Sequence, residues 1–132
     1  MKPALRKVFP TSFGVFSPTG YVVMVFDSDV EAERARLAMV DNGFSEEEVT
    51  RYTANEVMAE FEKSVKHSTD PVQIGQDVAK VEQYLALARK GSGFLLLHTQ
   101  DEDTARSAVE IVHNLGLKFA EKYNRLTIEE LG

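Results

Sequence analysis

A chain of 132 residues with 43% apolar and 27% charged residues has the length and balance of one globular domain. No apolar run approaches the ~20 residues that a membrane-spanning helix needs, and without cysteine there is no disulfide framework, thiolate nucleophile or cysteine-based metal site. A net charge of −6 counts against binding to a phosphate backbone, so nucleic acid is an unfavoured partner.

Residues 1–20 carry Lys2, Arg6 and Lys7 and no acid, with Phe9, Phe13 and Phe16 set among Pro, Gly, Ser and Thr. Pro10, Gly14, Pro18 and Gly20 interrupt the stretch after the bases, and no compact apolar run or small-residue cleavage site is present. No export signal is read, and a cytoplasmic location is expected. The aromatic content predicts an irregular segment packed on the domain or on a partner, because unpacked tails are poor in such residues. The domain proper is expected over 21–132.

Tyr21–Phe26 is a run of six apolar residues, mostly β-branched or aromatic, and predicts a buried strand. Ser28 and Glu31 have capping-box spacing for a helix over about Asp29–Asn42, which Gly43 stops. Val49–Tyr52 reads as a short, alternating edge strand. Thr53 and Glu56 form a second capping box, opening a helix to about Lys66 with Val57, Met58, Phe61 and Val65 on one face. After a loop over His67–Gly75, a further helix near Asp77–Lys90 carries Val78, Val81, Leu85 and Ala88. Gly91-Ser92-Gly93 reads as a flexible lead into the next strand, since no third glycine or Lys-Ser/Thr succeeds it to make a phosphate loop.

The opening pattern then returns. Phe94–His98 predicts a second buried strand, Thr99 and Glu102 a third cap, and a helix runs to about Leu115 before Gly116. Leu117–Tyr123 is expected as the last strand, with Thr127–Leu131 ending the chain. At an offset of 73, Gly20 meets Gly93, Ala32 meets Ala105, Ala35 meets Ala108 and Gly43 meets Gly116, a structural echo that Arg36 against Val109 breaks. Two βαβ halves predict an α+β, ferredoxin-like split βαβ antiparallel sheet with two extra helices inserted between the halves.

The two central strands do not alternate apolar with polar, as half-exposed strands do. Both faces of the sheet must be covered: by the N-terminal segment, by the inserted helices, or by a second subunit in a homodimer through the sheet face.

Chemistry-bearing residues are scattered. His67, His98 and His113 share no metal-ligand spacing. His98 is the candidate catalytic residue because it ends a central strand; the alternative is a strand-end histidine bonded to backbone. Asp27, Asp29, Glu31, Glu33 and Asp101, Glu102, Asp103 sit where negative charge complements helix dipoles, and Glu46-Glu47-Glu48 reads as a solvated loop. No metal site and no cofactor is expected. Arg51, Tyr52, Lys122, Tyr123 and Arg125 are candidate ligand-binding residues for an anion if the outer strands bring them to one groove; the alternative is a charged edge strand that discourages pairing.

Over Gly20–Tyr52, the strand Tyr21–Phe26, an Ala-rich helix and the turn Asn42-Gly43-Phe44-Ser45-Glu46-Glu47 resemble the small bacterial domains grouped with general stress protein 17M. The resemblance covers about a quarter of the chain and implies a bacterial, stress-associated accessory protein; it carries over no functional residue. The leading expectation is a non-catalytic module that binds a protein or a small ligand. The alternative is a cofactor-independent enzyme of the dimeric α/β-barrel kind, with His98 in an apolar cavity between two sheets. Nucleic-acid binding is third.

Overall fold

The computed structural model describes residues 20–67, 76–99, 101–123 and 128–131, with the side chains of all these except 61–67 and 76–81. The elements are β1 (Tyr21–Phe26), α1 (Asp29–Asp41), β2 (Val49–Tyr52), α2 (Ala54–His67), α3 (Gln76–Arg89), β3 (Gly93–His98), α4 (Glu102–Val112), β4 (Leu117–Tyr123) and β5 (Ile128–Leu131). The fold is α+β. Its antiparallel sheet has the strand order β2-β3-β1-β4-β5, so the two most apolar strands sit inside and β2 is an edge. β5 is an element that the sequence pattern does not separate from the chain's last residues. It covers the outer side of β4, which is therefore not an edge.

Alternation across the pleat divides the core into two layers. On one face Val22, Met24 and Phe26 of β1 and Leu95 and Leu97 of β3 meet Ala32, Ala35 and Met39 of α1 and Ala105, Ala108 and Val112 of α4. The helix positions that echo at an offset of 73 are turned inward: Ala32, Ala35, Ala105 and Ala108 are all fully buried. Small side chains there let the helices lie close. Gly93 shows how close, since a Cβ at that position would stand 2.5 Å from the Ser28 carbonyl oxygen and 2.8 Å from the Ala32 Cβ.

The opposite face presents Val23, Val25, Phe94 and Leu96, and the inserted helices pack on it with Ala54 and Val57 of α2 and Tyr84, Leu85 and Ala88 of α3. Burying each large apolar side chain here stabilises by about 1.5–3 kcal/mol. The cover for this face thus comes from within the chain. A homodimer through the sheet face would have to displace α2 and α3. Phe61, Val65, Val78 and Val81, assigned from the sequence to the apolar stripes, lie outside the described side chains, and residues 1–19 lie outside the described residues.

The helix starts obey local chemistry with two departures. Thr53 and Glu56 exchange both capping-box bonds, at 2.9 and 3.2 Å, and the Ala54 amide donates to Asp29 Oδ1, fastening α2 to the start of α1. Ser28 Oγ accepts from the Glu31 amide, but Glu31 Oε2 is buried with no hydrogen-bond partner among the described residues. That carboxylate packs against Gly116, which has a φ of +82° and where any Cβ would collide with it. For α4 the cap is Asp101, not Thr99: its side chain accepts from the Thr104 amide, while Thr99 Oγ1 accepts from the Asp101 amide one step earlier. Gly91-Ser92-Gly93 is a built turn. Gly91 takes a φ of +93° and Ser92 is fully buried, with Lys118 Nζ donating to its hydroxyl.

Candidate functional site

α1 ends at Asp41, and the chain reverses through Asn42 and Gly43, the latter at a φ of +103°, with the Phe44 amide returning to the Met39 carbonyl. Asn42 Nδ2 donates to the Ala38 carbonyl, which also accepts from the Asn42 amide at 3.1 Å. Ser45 and Glu48 close the next turn reciprocally, the Ser45 amide donating to Glu48 Oε1 at 2.9 Å and the Glu48 amide to Ser45 Oγ at 3.2 Å. These bonds bring Phe44 and Glu48 opposite α4.

Between α4 and the loop that follows α1 lies an open groove of about 740 Å³, walled by Asn42, Gly43, Phe44 and Glu48 on one side and by Asp103, Thr104, Ser107, Glu110 and Ile111 on the other. Phe44 and Ile111 are partly buried against the α1–α4 core and form the apolar strip of the groove. Among the described residues its lining has three carboxylates, Glu48, Asp103 and Glu110, and no Lys, Arg or His. The carbonyl end of α1, without a basic residue in its last turn, adds negative partial charge. The amide end of α4 would oppose it, but Asp101, Glu102 and Asp103 occupy that end. Hydrogen bonds from the Thr104 hydroxyl and amide hold the Asp101 carboxyl below the usual carboxylate range, so it is ionised at neutral pH. The groove is therefore a negatively charged, half-apolar trough.

The second polar cluster is buried on the α2–α3 face. Tyr84 Oη donates to Glu121 Oε1 at 2.6 Å and lies 2.7 Å from Tyr123 Oη. With its proton directed to the carboxylate, Tyr84 accepts from Tyr123, giving a two-step relay of hydroxyls onto Glu121. The Tyr84 ring is held edge-on to Phe94 and stacked on Phe119. Burial, and after it the neighbouring Tyr123 and Glu121, drives the Tyr84 hydroxyl far above its ordinary pKa. The group is a neutral hydrogen-bond donor under all physiological conditions. This arrangement fastens α3 to β4.

The residues proposed from the sequence are spread over the molecule. His98 is exposed and its ring stacks on Tyr21 with centroids 4.7 Å apart, while its backbone amide donates to the Glu48 carbonyl. Arg51 reaches Glu33 at 3.0 Å on the α1 side of the sheet. Tyr52 is buried on the other face, and burial, with Glu56 and Tyr21 adding to it, pushes its hydroxyl up to about 12. Lys122 is 8% exposed and stands opposite Glu129 of β5. Tyr123 belongs to the relay. Arg125 lies outside the described residues. β3 and β1 separate the Arg51–Tyr52 pair from the Lys122–Tyr123 pair by three strand spacings, about 14 Å, and each pair divides between the two faces. The described candidates do not converge on one groove.

The α1–α4 groove is not visible in the sequence. Glu46-Glu47-Glu48 reads there as a solvated loop and Asp103 as a charge that complements a helix dipole, and no motif marks Ser107 or Glu110. Only the topology places the end of α1 beside the start of α4. Among the described residues no group of three or more His, Asp or Glu could hold a metal ion, and no helix is long and apolar enough to cross a membrane. No protein-family model matches the chain, and no similar curated protein or solved structure was found.

Proposed function

We propose that this chain is a non-catalytic binding module of ferredoxin-like topology that holds a cationic, partly apolar peptide segment of a partner protein in the α1–α4 groove. The topology reading is supported by the strand order β2-β3-β1-β4, in which α1 and α4 each connect two strands that flank a third. The observation that carries the function is the groove's lining: three carboxylates, no base and an apolar strip of Phe44 and Ile111. Lysine or arginine side chains suit the rim, and one or two apolar side chains suit the floor. A bacterial, cytoplasmic and stress-associated setting belongs to the same proposal. The dimeric α/β-barrel enzyme is the weaker reading, because the sheet face it would use is packed by Ala54, Val57, Tyr84, Leu85 and Ala88.

The test is a titration of the isotope-labelled protein with a short synthetic peptide of lysine and phenylalanine, and with its glutamate-for-lysine counterpart. The lysine peptide is expected to shift the amides of Asn42–Phe44 and Thr104–Ile111, with affinity falling on the order of tenfold in an Asp103→Asn/Glu110→Gln variant. Equal shifts from the glutamate peptide, or none at these amides from the lysine peptide, would remove the reading.

A further inference from the structure

We propose that the groove has a resident occupant in the absence of a partner: the chain's own basic segment, residues 1–19, bound in cis. This rests on the groove's being a binding site and adds a regulation to it. Three observations carry it.

The first is charge. Residues 1–19 hold Lys2, Arg6 and Lys7 and no acid, in a chain whose net charge is −6. Glu48, Asp103 and Glu110 line a groove that has no base among its described residues. The second is apolar character. Phe9, Phe13 and Phe16 accompany the bases, and Phe44 and Ile111 give the groove an apolar strip. A segment of this composition meets the same requirement as the partner segment.

The third is position. The chain joins the sheet at Gly20, whose amide donates to the Tyr123 carbonyl at 3.0 Å and whose carbonyl accepts from the Thr99 amide at 3.0 Å. The adjoining His98 amide donates to the Glu48 carbonyl at 2.9 Å. Gly20 and Glu48 thus lie at the same end of the sheet, on β1 and β2 with β3 between them, two strand spacings or about 10 Å apart. Nineteen residues reach up to about 60 Å. The groove wall is well within the tether's range, and a tether of this length holds its bases at an effective concentration on the order of millimolar. At that concentration a contact with a dissociation constant below about 1 mM is mostly closed. A partner must displace it, and its apparent affinity is reduced accordingly.

The absence of cysteine makes the test direct on the full chain. A nitroxide attached at Ala4→Cys is expected to broaden the amides of Asn42–Phe44 and Thr104–Ile111 and to leave Leu85–Ala88, on the opposite face, sharp. The broadening should vanish at high salt and in a Lys2→Glu/Arg6→Glu/Lys7→Glu background. That background should also bind the lysine–phenylalanine peptide on the order of tenfold more tightly than the parent chain. Sharp groove amides, or broadening centred on another surface, overturn the proposal. So does broadening that arises only when labelled and spin-labelled chains are mixed, which would assign the contact to a second copy. The two readings fail separately. Peptide binding at the groove with no broadening from Ala4→Cys removes the resident segment and leaves the binding module. No peptide binding even in the triple-glutamate background removes the binding module.

Discussion

The two faces of the sheet are built on opposite plans. The α1–α4 face is lined with alanines that recur in both halves, so helix and sheet approach until a single added carbon at Gly93 would strike backbone. The α2–α3 face is aromatic, occurs once, and carries a hydrogen-bonded Tyr84–Glu121–Tyr123 relay in its middle. Close packing of small side chains fixes position through repulsion. The other face fixes it through directed bonds, which have one geometry and fail when one partner is removed. Pattern in a sequence reveals the first plan far better than the second.

Gly93→Ala and Tyr84→Phe each break one of these plans. Gly93→Ala attacks the close-packed face and should have the largest effect, costing roughly 2–3 kcal/mol by denaturant unfolding, because Ser28 and Ala32 must both give way. A loss under about 0.5 kcal/mol would mean that the spacing of α1 is soft.

Tyr84→Phe attacks the bonded face at nearly constant shape. It should cost about 1–3 kcal/mol by removing one hydrogen bond from each of Glu121 and Tyr123. Its pH dependence separates it from a packing defect. The Tyr84 hydroxyl titrates higher in the folded protein than the ordinary value of 10.0. Its contribution is therefore complete below pH 10 and is lost as pH rises above that value, by about 1.4 kcal/mol per pH unit. Tyr52 adds a similar loss between 10.0 and about 12. The variant should show a shallower alkaline decline, and an unchanged slope would place Tyr84 outside the titrating set.

The smallest effect concerns the start of α4. Asp101→Ala should lower the thermal unfolding midpoint and Thr99→Ala should lower it by less, since Asp101 receives the Thr104 amide. The reverse order would restore Thr99 as the cap.

Legibility in the sequence divides along the same contrast. The unbroken apolar runs Tyr21–Phe26 and Phe94–Leu97 require cover on both faces, and both faces are covered. Val49–Tyr52 is an edge as its short, half-polar run suggests, although its buried residues, Val49 and Tyr52, lie on opposite faces and do not alternate. Thr53 and Glu56 announce their bonds because the partners are three residues apart. Tyr84 and Glu121 are 37 residues apart on different elements, and no local spacing pairs them. One hidden element conceals another. Ile128-Glu129-Glu130-Leu131 is four residues with two acids and looks like chain end, so β4 reads as an edge and its Glu121 and Lys122 as solvated residues. With β5 in place they are 9% and 8% exposed. The groove is concealed for a further reason: its two walls lie about 60 residues apart in the chain and neither has a motif of its own.

The lengths of the outermost strands bear on how the protein behaves when crowded. A sheet can recruit a neighbour's backbone along any unpaired edge, and a long flat edge seeds fibres. Here both outermost strands, β2 and β5, are only four residues long. β2 carries Arg51, and β5 carries Glu129 and Glu130 side by side. A docking strand would gain few ladder bonds and would have to tolerate charge on either border. The two apolar strands most able to polymerise are kept in the interior of the sheet, so concentrated solutions of the folded chain should resist amyloid growth until the sheet itself opens.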